Sequence, residues 1–368
     1  MSAPLDLFAA CAPGLEPLLA AELAALGALD ARPLAGGVAF RGHRRVLYRA
    51  NLECGLATHV LVRLARFGAD RFEALEAELA ALPWERWLLP GAPRRVRASA
   101  HKSRLHHTGA IVERAERAIA LRLGDAPQDD EERAVPIALR LVRDEVHVSL
   151  DTSGAPLHRR GYRTTSGPAP LREDLARALV IVSGWDRASP LVDPLSGIGT
   201  IPIEAALYAE GRAPGAGRAF AFERTALLDE ASWARVREAS AAARREAPPI
   251  LGRDADPRAI AASEANAARA GVTVRFEVAT LRAAPALDAP RGAVVTHPPF
   301  GKRLGAGEDL APLYRALGAC APRGWALAIL TADRRLGMRA GQDLATAFLT
   351  DAGGLKVRAL VRRSGGAR

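Results

Sequence analysis

Four stretches of the chain hold residue types whose spacing can do chemistry. The first is Asp193-Pro194-Leu195-Ser196-Gly197-Ile198-Gly199-Thr200-Ile201-Pro202-Ile203-Glu204. At Gly197 and Gly199 the missing side chains let a ligand touch the backbone, and amides opening a following helix point at it. The second is Asp254 in Gly252-Arg253-Asp254-Ala255-Asp256. A carboxylate there can accept two hydrogen bonds from a ribose diol. Asp256, directly before Pro257, suits a helix cap better, which leaves Asp254 for a ligand. The third is Thr296-His297-Pro298-Pro299-Phe300-Gly301. Two prolines fix the backbone, so carbonyls are held outward rather than paired, and Phe300 offers a ring face to an extruded base. The fourth is basic. The turn His101-Lys102-Ser103-Arg104-Leu105-His106-His107, and Arg159, Arg160 and Arg163 further on, either grip phosphates or face water. The three histidines of that turn lack a zinc spacing, and no metal site is expected.

These groups need a frame that brings them together. Pro190-Leu191-Val192 is a short apolar run of the kind that makes a buried parallel strand, and Ile203 to Ala209 reads as helix. Pro202 has no N–H to give, so it must lie in the first turn of that helix. The glycines then fall on the bend between strand and helix. A third glycine is missing, since Pro202 stands at its place, so this is not the dinucleotide fingerprint. No Gly-Lys-Ser/Thr follows, so it is not a P-loop.

From Leu171 onward helices alternate with short apolar strands, which predicts a doubly wound α/β sheet. Strands are expected at 190–193, 250–254, 272–278, 293–296 and 325–331, helices at 171–184, 199–210, 257–270 and 310–320, and a terminal hairpin near 347–361. Residues 211–249 look like an insertion, partly helical around 229–246. Before this region, residues 5–66 read as strand–helix–strand–strand–helix–strand, a ferredoxin-like pattern. A second small α+β unit follows, with helices at 72–82 and 109–123, a strand at 94–100, and an alternating hairpin over 137–151 that turns at Arg143-Asp144. Thr164 to Pro170, with Ser, Gly and two prolines, marks a linker. The expected domains are therefore 1–66, 67–165 and 166–368.

The chain of 368 residues carries a formal charge of +10, which favours a polyanionic partner such as nucleic acid. Nearly all the base is arginine among abundant Ala, Gly and Pro, so compositional bias contributes too. The three cysteines, Cys11, Cys54 and Cys320, are too dispersed for a disulfide framework or a zinc site. No apolar run has membrane length and no secretory leader is seen, so the expected compartment is the cytoplasm. Oligomeric state is not readable.

Taken together, Gly14-Leu15-Glu16, Gly36-Gly37-Val38, His101 to Leu105, Leu157-His158-Arg159-Arg160-Gly161-Tyr162-Arg163, Asp193 to Glu204, Asp254-Ala255-Asp256 and Pro298-Pro299-Phe300-Gly301 resemble bacterial THUMP-domain class I RNA methyltransferases dependent on S-adenosylmethionine (SAM). The likeness is to the 23S rRNA guanine-N2 branch and covers nearly the whole chain. It implies a ferredoxin-like domain and a THUMP domain that dock RNA, for which Lys102, Arg104, Arg159, Arg160 and Arg163 are the candidate contacts by charge. It implies a Rossmann-like methyltransferase domain behind them. Asp193, Gly197, Gly199, Thr200 and Asp254 would line SAM. The Pro298 carbonyl would accept from a guanine amine, Phe300 would stack on the base, and His297 would be the second amine acceptor. The chain departs from the family pattern at two places: His297 stands where it has Asn, and Ala279-Thr280 where an Asp often meets the adenine, a role open to a backbone carbonyl or to Asp288. The residues alone also allow another RNA or DNA amine methyltransferase (tRNA guanine-N2 or adenine-N6), or an RNA-binding ribosome-assembly protein that has lost methyl transfer. An accepting imidazole must be neutral, so an unperturbed His297 would lose activity as pH falls through about 6.5.

Overall fold

The computed structural model describes residues 3–126, 133–163, 171–281, 289–300 and 309–363. By contacts the chain divides into two units. One comprises Met1–Cys11, Ala20–Leu157 and Arg218–Glu238; the other comprises Ala12–Leu19, His158–Gly217 and Ala239–Arg368.

The first unit is built on a seven-stranded sheet. Its strands are β1 (Leu5–Ala10), β2 (Leu29–Leu34), β3 (Gly37–Gly42), β4 (His59–Gly68), β5 (Arg94–His101), β6 (Val135–Val142) and β7 (Glu145–Asp151), in the order β2-β3-β1-β4-β7-β6-β5. Helices α1 (Glu16–Ala25), α2 (Arg44–Glu53), α3 (Phe72–Ala81) and α4 (Thr108–Leu123) lie between them in sequence. The order β2-β3-β1-β4 is the expected ferredoxin-like arrangement. β4 pairs antiparallel with β7, so the following strands extend the same sheet rather than starting a new one. Period-2 alternation sets which side each residue takes: Leu7, Ala9, Val60, Val62, Leu139 and Val148 are at most 1 % exposed and form the inner side. The β6–β7 turn falls at Arg143 and Asp144, as the alternation predicts, both with positive φ.

Part of the 211–249 stretch also belongs to this unit. The helix α7 (Glu230–Ala242) begins in it, and Phe220, Phe222 and Trp233 pack with Tyr48, with ring centroids 4.9 Å apart for Tyr48–Phe222 and 5.1 Å for Phe222–Trp233. The Tyr48 hydroxyl donates to the Leu227 carbonyl at 2.6 Å. Four aromatics and a buried hydroxyl bond explain why a segment from the second half of the sequence joins the first unit.

The second unit holds the other seven-stranded sheet. Its strands are β8 (Leu191–Asp193), β9 (Ile250–Asp254), β10 (Arg275–Val278), β11 (Gly292–Thr296), β12 (Trp325–Thr331), β13 (Ala345–Ala352) and β14 (Leu355–Arg362), in the order β10-β9-β8-β11-β12-β14-β13. The strands from β10 through β12 are parallel to one another, and the terminal β13–β14 hairpin runs antiparallel at one edge. Helices α5 (Glu173–Val182), α6 (Thr200–Ala209), α8 (Pro257–Ala270), α9 (Ala311–Ala319) and α10 (Arg334–Ala340) flank the strands in sequence. Only α10 lacks a counterpart in the sequence expectation. Val192, Leu251, Val294, Leu327 and Ile329 form one core with Leu310, Tyr314, Leu317 and Leu360. This is the expected doubly wound sheet. Chain order reverses between β8 and β11, and the crevice beyond the carboxyl ends at such a reversal is where open α/β sheets bind ligands.

Candidate active site

Three strand ends meet at that crevice, each carrying a stretch singled out by residue type. β8 ends in Asp193, β9 in Asp254 and β11 in Thr296, one residue before His297.

The β8–α6 turn is held by backbone geometry. Gly197 and Gly199 have φ of 53° and 82°, in the left-handed region that side-chain-bearing residues avoid. A Cβ on Gly199 would sit 3.0 Å from Ser263 Cβ and 3.1 Å from Phe276, so this glycine also serves close packing. A Cβ on Gly197 would meet nothing within 4 Å. The turn therefore leaves open space on the Gly197 side, where a ligand can lie against the backbone. Thr200 is buried in the first turn of α6, and Pro202 follows within that turn.

Asp254 organises this turn. One carboxylate oxygen accepts the Gly197 amide at 2.9 Å, and the other accepts the Asp256 amide at 3.0 Å. Asp256 caps α8 by accepting the Arg258 amide at 2.9 Å, as its place before Pro257 implies. A carboxylate offers about four lone pairs, so Asp254 retains acceptor capacity for a diol. Two residues of α8 complete the support: Ser263 donates to the Gly197 carbonyl at 2.9 Å and Asn266 to the Ile198 carbonyl at 3.0 Å. Neither was singled out by sequence. A Ser and an Asn three apart look like ordinary polar positions until the helix is docked.

Asp193 is 1 % exposed. Burial pushes its carboxyl up to about 7; the Thr296 hydroxyl and the Leu195 amide oppose the shift, and the nearby Asp254 carboxylate adds to it. A cationic ligand beside Asp193 would favour its charged form.

Beyond β11, His297, Pro298, Pro299 and Phe300 follow one another on one segment, while Gly301 and Asp288 lie outside the described residues. The His297 and Phe300 ring centroids are 5.8 Å apart at a tilt of 49°. Burial drives the His297 imidazole down to about 4, well below the 6.5 expected of an unperturbed ring. His297 is thus neutral at every ordinary pH. Its Nε2 is buried with no hydrogen-bond partner among the described residues, so it can accept from an incoming N–H in the tautomer protonated at Nδ1. The Tyr314 hydroxyl, on α9, donates to the Pro299 carbonyl at 3.2 Å and lies 2.9 Å from Thr331 Oγ1 at the end of β12. Tyr314 ties the proline segment to the sheet. Its position in an amphipathic helix gives no sequence signal of that task.

The basic candidates are placed differently from one another. Lys102 and Arg104 belong to the first unit; both are exposed, and Arg104 pairs with Asp70 at 2.5 Å. Arg159 is exposed. The Arg160 side chain is 2 % exposed and meets the wholly buried Glu204 at 3.4 Å, and Arg177 reaches the same carboxylate at 3.1 Å. Arg163 bonds the Leu171 carbonyl at 3.0 Å and pairs with the buried Glu173 at 3.4 Å. Arg160 and Arg163 therefore spend their guanidinium groups inside the second unit, where sequence reading set them against RNA phosphate. Glu204, the last residue of the glycine stretch, is the anchor of that buried network, and the Tyr162 hydroxyl also reaches it at 3.3 Å. Among the described residues no group of three His, Cys, Asp or Glu side chains is placed to hold a metal ion. No helix among them is long and apolar enough to cross a membrane.

The chain is similar to known methyltransferases. Residues 160–350 match the family described as RMKL-like, methyltransferase domain, and residues 6–61 match the RlmL ferredoxin-like domain. The ribosomal RNA large subunit methyltransferase K/L of Methylococcus capsulatus is 40% identical over 359 residues, covering 92% of this chain and 49% of that protein. The chain thus spans about half the length of the K/L relatives it matches. A Synechocystis protein named as an RNA methyltransferase is 32% identical over 361 residues, covering 95% of this chain and 94% of its own. The crystal structure of SMU.472, a methyltransferase complexed with SAH, superposes with a TM-score of 0.90 at 29% identity over 100% of both chains. With the match spanning the crevice, its glycine turn and the proline segment, the chain belongs to the RMKL-like methyltransferase family.

Proposed function

We propose that the protein is a SAM-dependent RNA methyltransferase acting on the exocyclic N2 amine of a guanine in 23S rRNA. The observation that carries this reading is a neutral His297 nitrogen, without a hydrogen-bond partner among the described residues, and the Pro298-Pro299-Phe300 segment at the end of β11, next to the strand that feeds the Gly197–Gly199 turn. The RNA substrate is supported by the basic charge and by the names of the relatives.

The residues present fit SAM. Asp254 has acceptor capacity for its ribose, the open side of Gly197 suits its methionine portion, and Asp193 and Thr200 flank the turn. When bound, SAM supplies an electrophilic methyl group. The protein's own part is to hold the amine. An exocyclic amine conjugated to a purine ring has its lone pair drawn into the ring. Acceptance of its two N–H bonds by His297 Nε2 and the Pro298 carbonyl turns that lone pair out of the ring plane. Phe300 holds the base by stacking, and Tyr314 fixes the proline segment so that the acceptors keep their places. Lys102, Arg104 and Arg159 are the phosphate contacts on this reading.

Mass mapping of rRNA from a deletion strain tests it. A single N2-methylguanosine in 23S rRNA should vanish and return with the wild-type gene. An unchanged 23S modification pattern rejects the reading.

A further inference from the structure

The first unit's sheet has an outer side that its alternation leaves facing away from Leu7, Val62, Leu139 and Val148. Pairing registers place the outer residues in rows across the strands. Arg63 on β4 is opposite Ser149 on β7, Ser149 opposite Ala138 on β6, and Ala138 opposite Arg97 on β5. In the adjoining row Arg66 is opposite His147, His147 opposite Arg140, and Arg140 opposite Ser99. Apart from Arg66, the residues of these rows line a shallow trough of about 690 Å³ that also takes in Phe8.

The charges on this side are not balanced. Arg66 pairs with Glu145 at 2.5 Å, His147 meets the same carboxylate at 2.7 Å, and Arg41 lies 3.6 Å from Asp30. Arg63, Arg97 and Arg140 have no carboxylate at ion-pair distance among the described residues, and all three are exposed. The Arg63 guanidinium instead lies over the half-buried Phe8 ring at 4.7 Å. Small side chains, Ser149 and Ala138, separate Arg63 from Arg97. With strands about 4.8 Å apart, those two arginines stand about 14 Å apart.

We infer that this trough binds a short single-stranded stretch of RNA, with bases lying flat over the small residues and phosphates taken by Arg63, Arg97 and Arg140. The chemistry fits no other polyanion as well. A guanidinium both stacks on a base face and pairs bidentately with phosphate. An open trough of small residues flanked by arginine planes rewards unpaired bases, which a duplex hides. The inference rests on the RNA-substrate reading and adds a site to it, apart from the Lys102–Arg104 turn.

The test measures binding of an oligouridine of about 12 nucleotides, a perfect RNA duplex and a 23S rRNA fragment by fluorescence anisotropy over a range of salt. Wild type is compared with the triple variants Arg63→Gln/Arg97→Gln/Arg140→Gln and Arg63→Lys/Arg97→Lys/Arg140→Lys. SAM binding and thermal melting are recorded for each. With SAM affinity and melting unchanged, the Gln variant should bind oligouridine about tenfold or more weaker, with a salt slope shallower by about 2, from three lost phosphate contacts at about 0.7 each. The Lys variant should keep the slope and still bind more weakly, because it retains charge without the stacking plane. Wild-type affinity and slope in the Gln variant overturn the inference, as does a loss confined to the duplex. Wild-type protein that binds no RNA at all overturns the RNA-substrate reading as well, so the two failures are distinguishable.

Discussion

At the level of single residues, the glycine turn and its carboxylates do the holding. Asp254 staples the Gly197 amide while keeping capacity for a ligand. Asp254→Ala should therefore weaken SAM binding by about ten- to a hundredfold, since hydrogen bonds to a charged group contribute about 1.5–3 kcal/mol each. Calorimetry checks this, and an unchanged dissociation constant removes Asp254 from the site. Asp193 adds a pH dependence. Its carboxyl is raised to about 7, so it is protonated below that pH and charged above it. A cationic ligand favours the charged form, so SAM affinity should tighten as pH rises through about 7, and Asp193→Asn should flatten the profile. A wild-type affinity independent of pH places Asp193 away from the ligand's charge. His297 behaves in the opposite sense. Burial lowers it to about 4, so its neutral, accepting form persists through the ordinary histidine range. Methyl transfer should show no His297 limb near pH 6.5, His297→Asn should retain most of the rate, and His297→Ala should lose about a hundredfold while SAM still binds. Single-turnover rates of the three proteins across pH check this, and an Ala variant as fast as wild type discards His297 as acceptor. The residue types of this site were legible because glycines, prolines and acids at strand ends are local signals. The downward shift of His297 was not, because it depends on what the fold packs around the ring. Tyr314, Ser263 and Asn266 were invisible for the same reason.

At the level of elements, the reversal of chain order between β8 and β11 gathers the site, and a buried charge network fixes α6 behind it. Glu204 lies within α6, wholly buried between Arg160 and Arg177. Removing one member of such a network strands the others without compensation, which costs about 3–5 kcal/mol in comparable pairs. Glu204→Gln should lower the stability of the second unit by about 3 kcal/mol, read from the urea midpoint of its unfolding transition. A midpoint within error of wild type shows that the arginines find other partners at no loss. Most elements were legible from periodicity and punctuation: the strands β8, β9 and β11 are short apolar runs, and Gly271 ends α8 in the left-handed conformation. The ion pairing of Arg160 and Arg163 was not legible. A run of arginines beside Gly161 looks the same whether it faces RNA or Glu204 and Glu173. The linker drawn at 164–170 falls on residues outside those described, while the contact division passes between Leu157 and His158.

For the whole molecule, the proposed function divides the tasks between two units, each built on a seven-stranded sheet. On that reading the first, with arginines on one side of its sheet, meets RNA, and the second holds the cofactor turn and the amine acceptors at its strand reversal. The division of fold classes was readable in sequence, since alternating strands and helices begin at Leu171. The joining of β4 to β7 was not readable, because strand pairing between distant segments leaves no local mark. Nor was the adoption of residues 218–238 by the first unit, which depends on Tyr48 meeting Phe222 and Trp233. The central claim is that the second unit methylates a guanine amine, and nucleoside analysis of the reaction product tests it most directly. Purified protein, 23S rRNA lacking its native methyl groups and SAM with a labelled methyl should yield N2-methylguanosine as the one labelled nucleoside, in an amount that falls about a hundredfold with His297→Ala. Label on any other atom of the base or on another nucleoside, or no label from protein that binds both SAM and rRNA, contradicts the account.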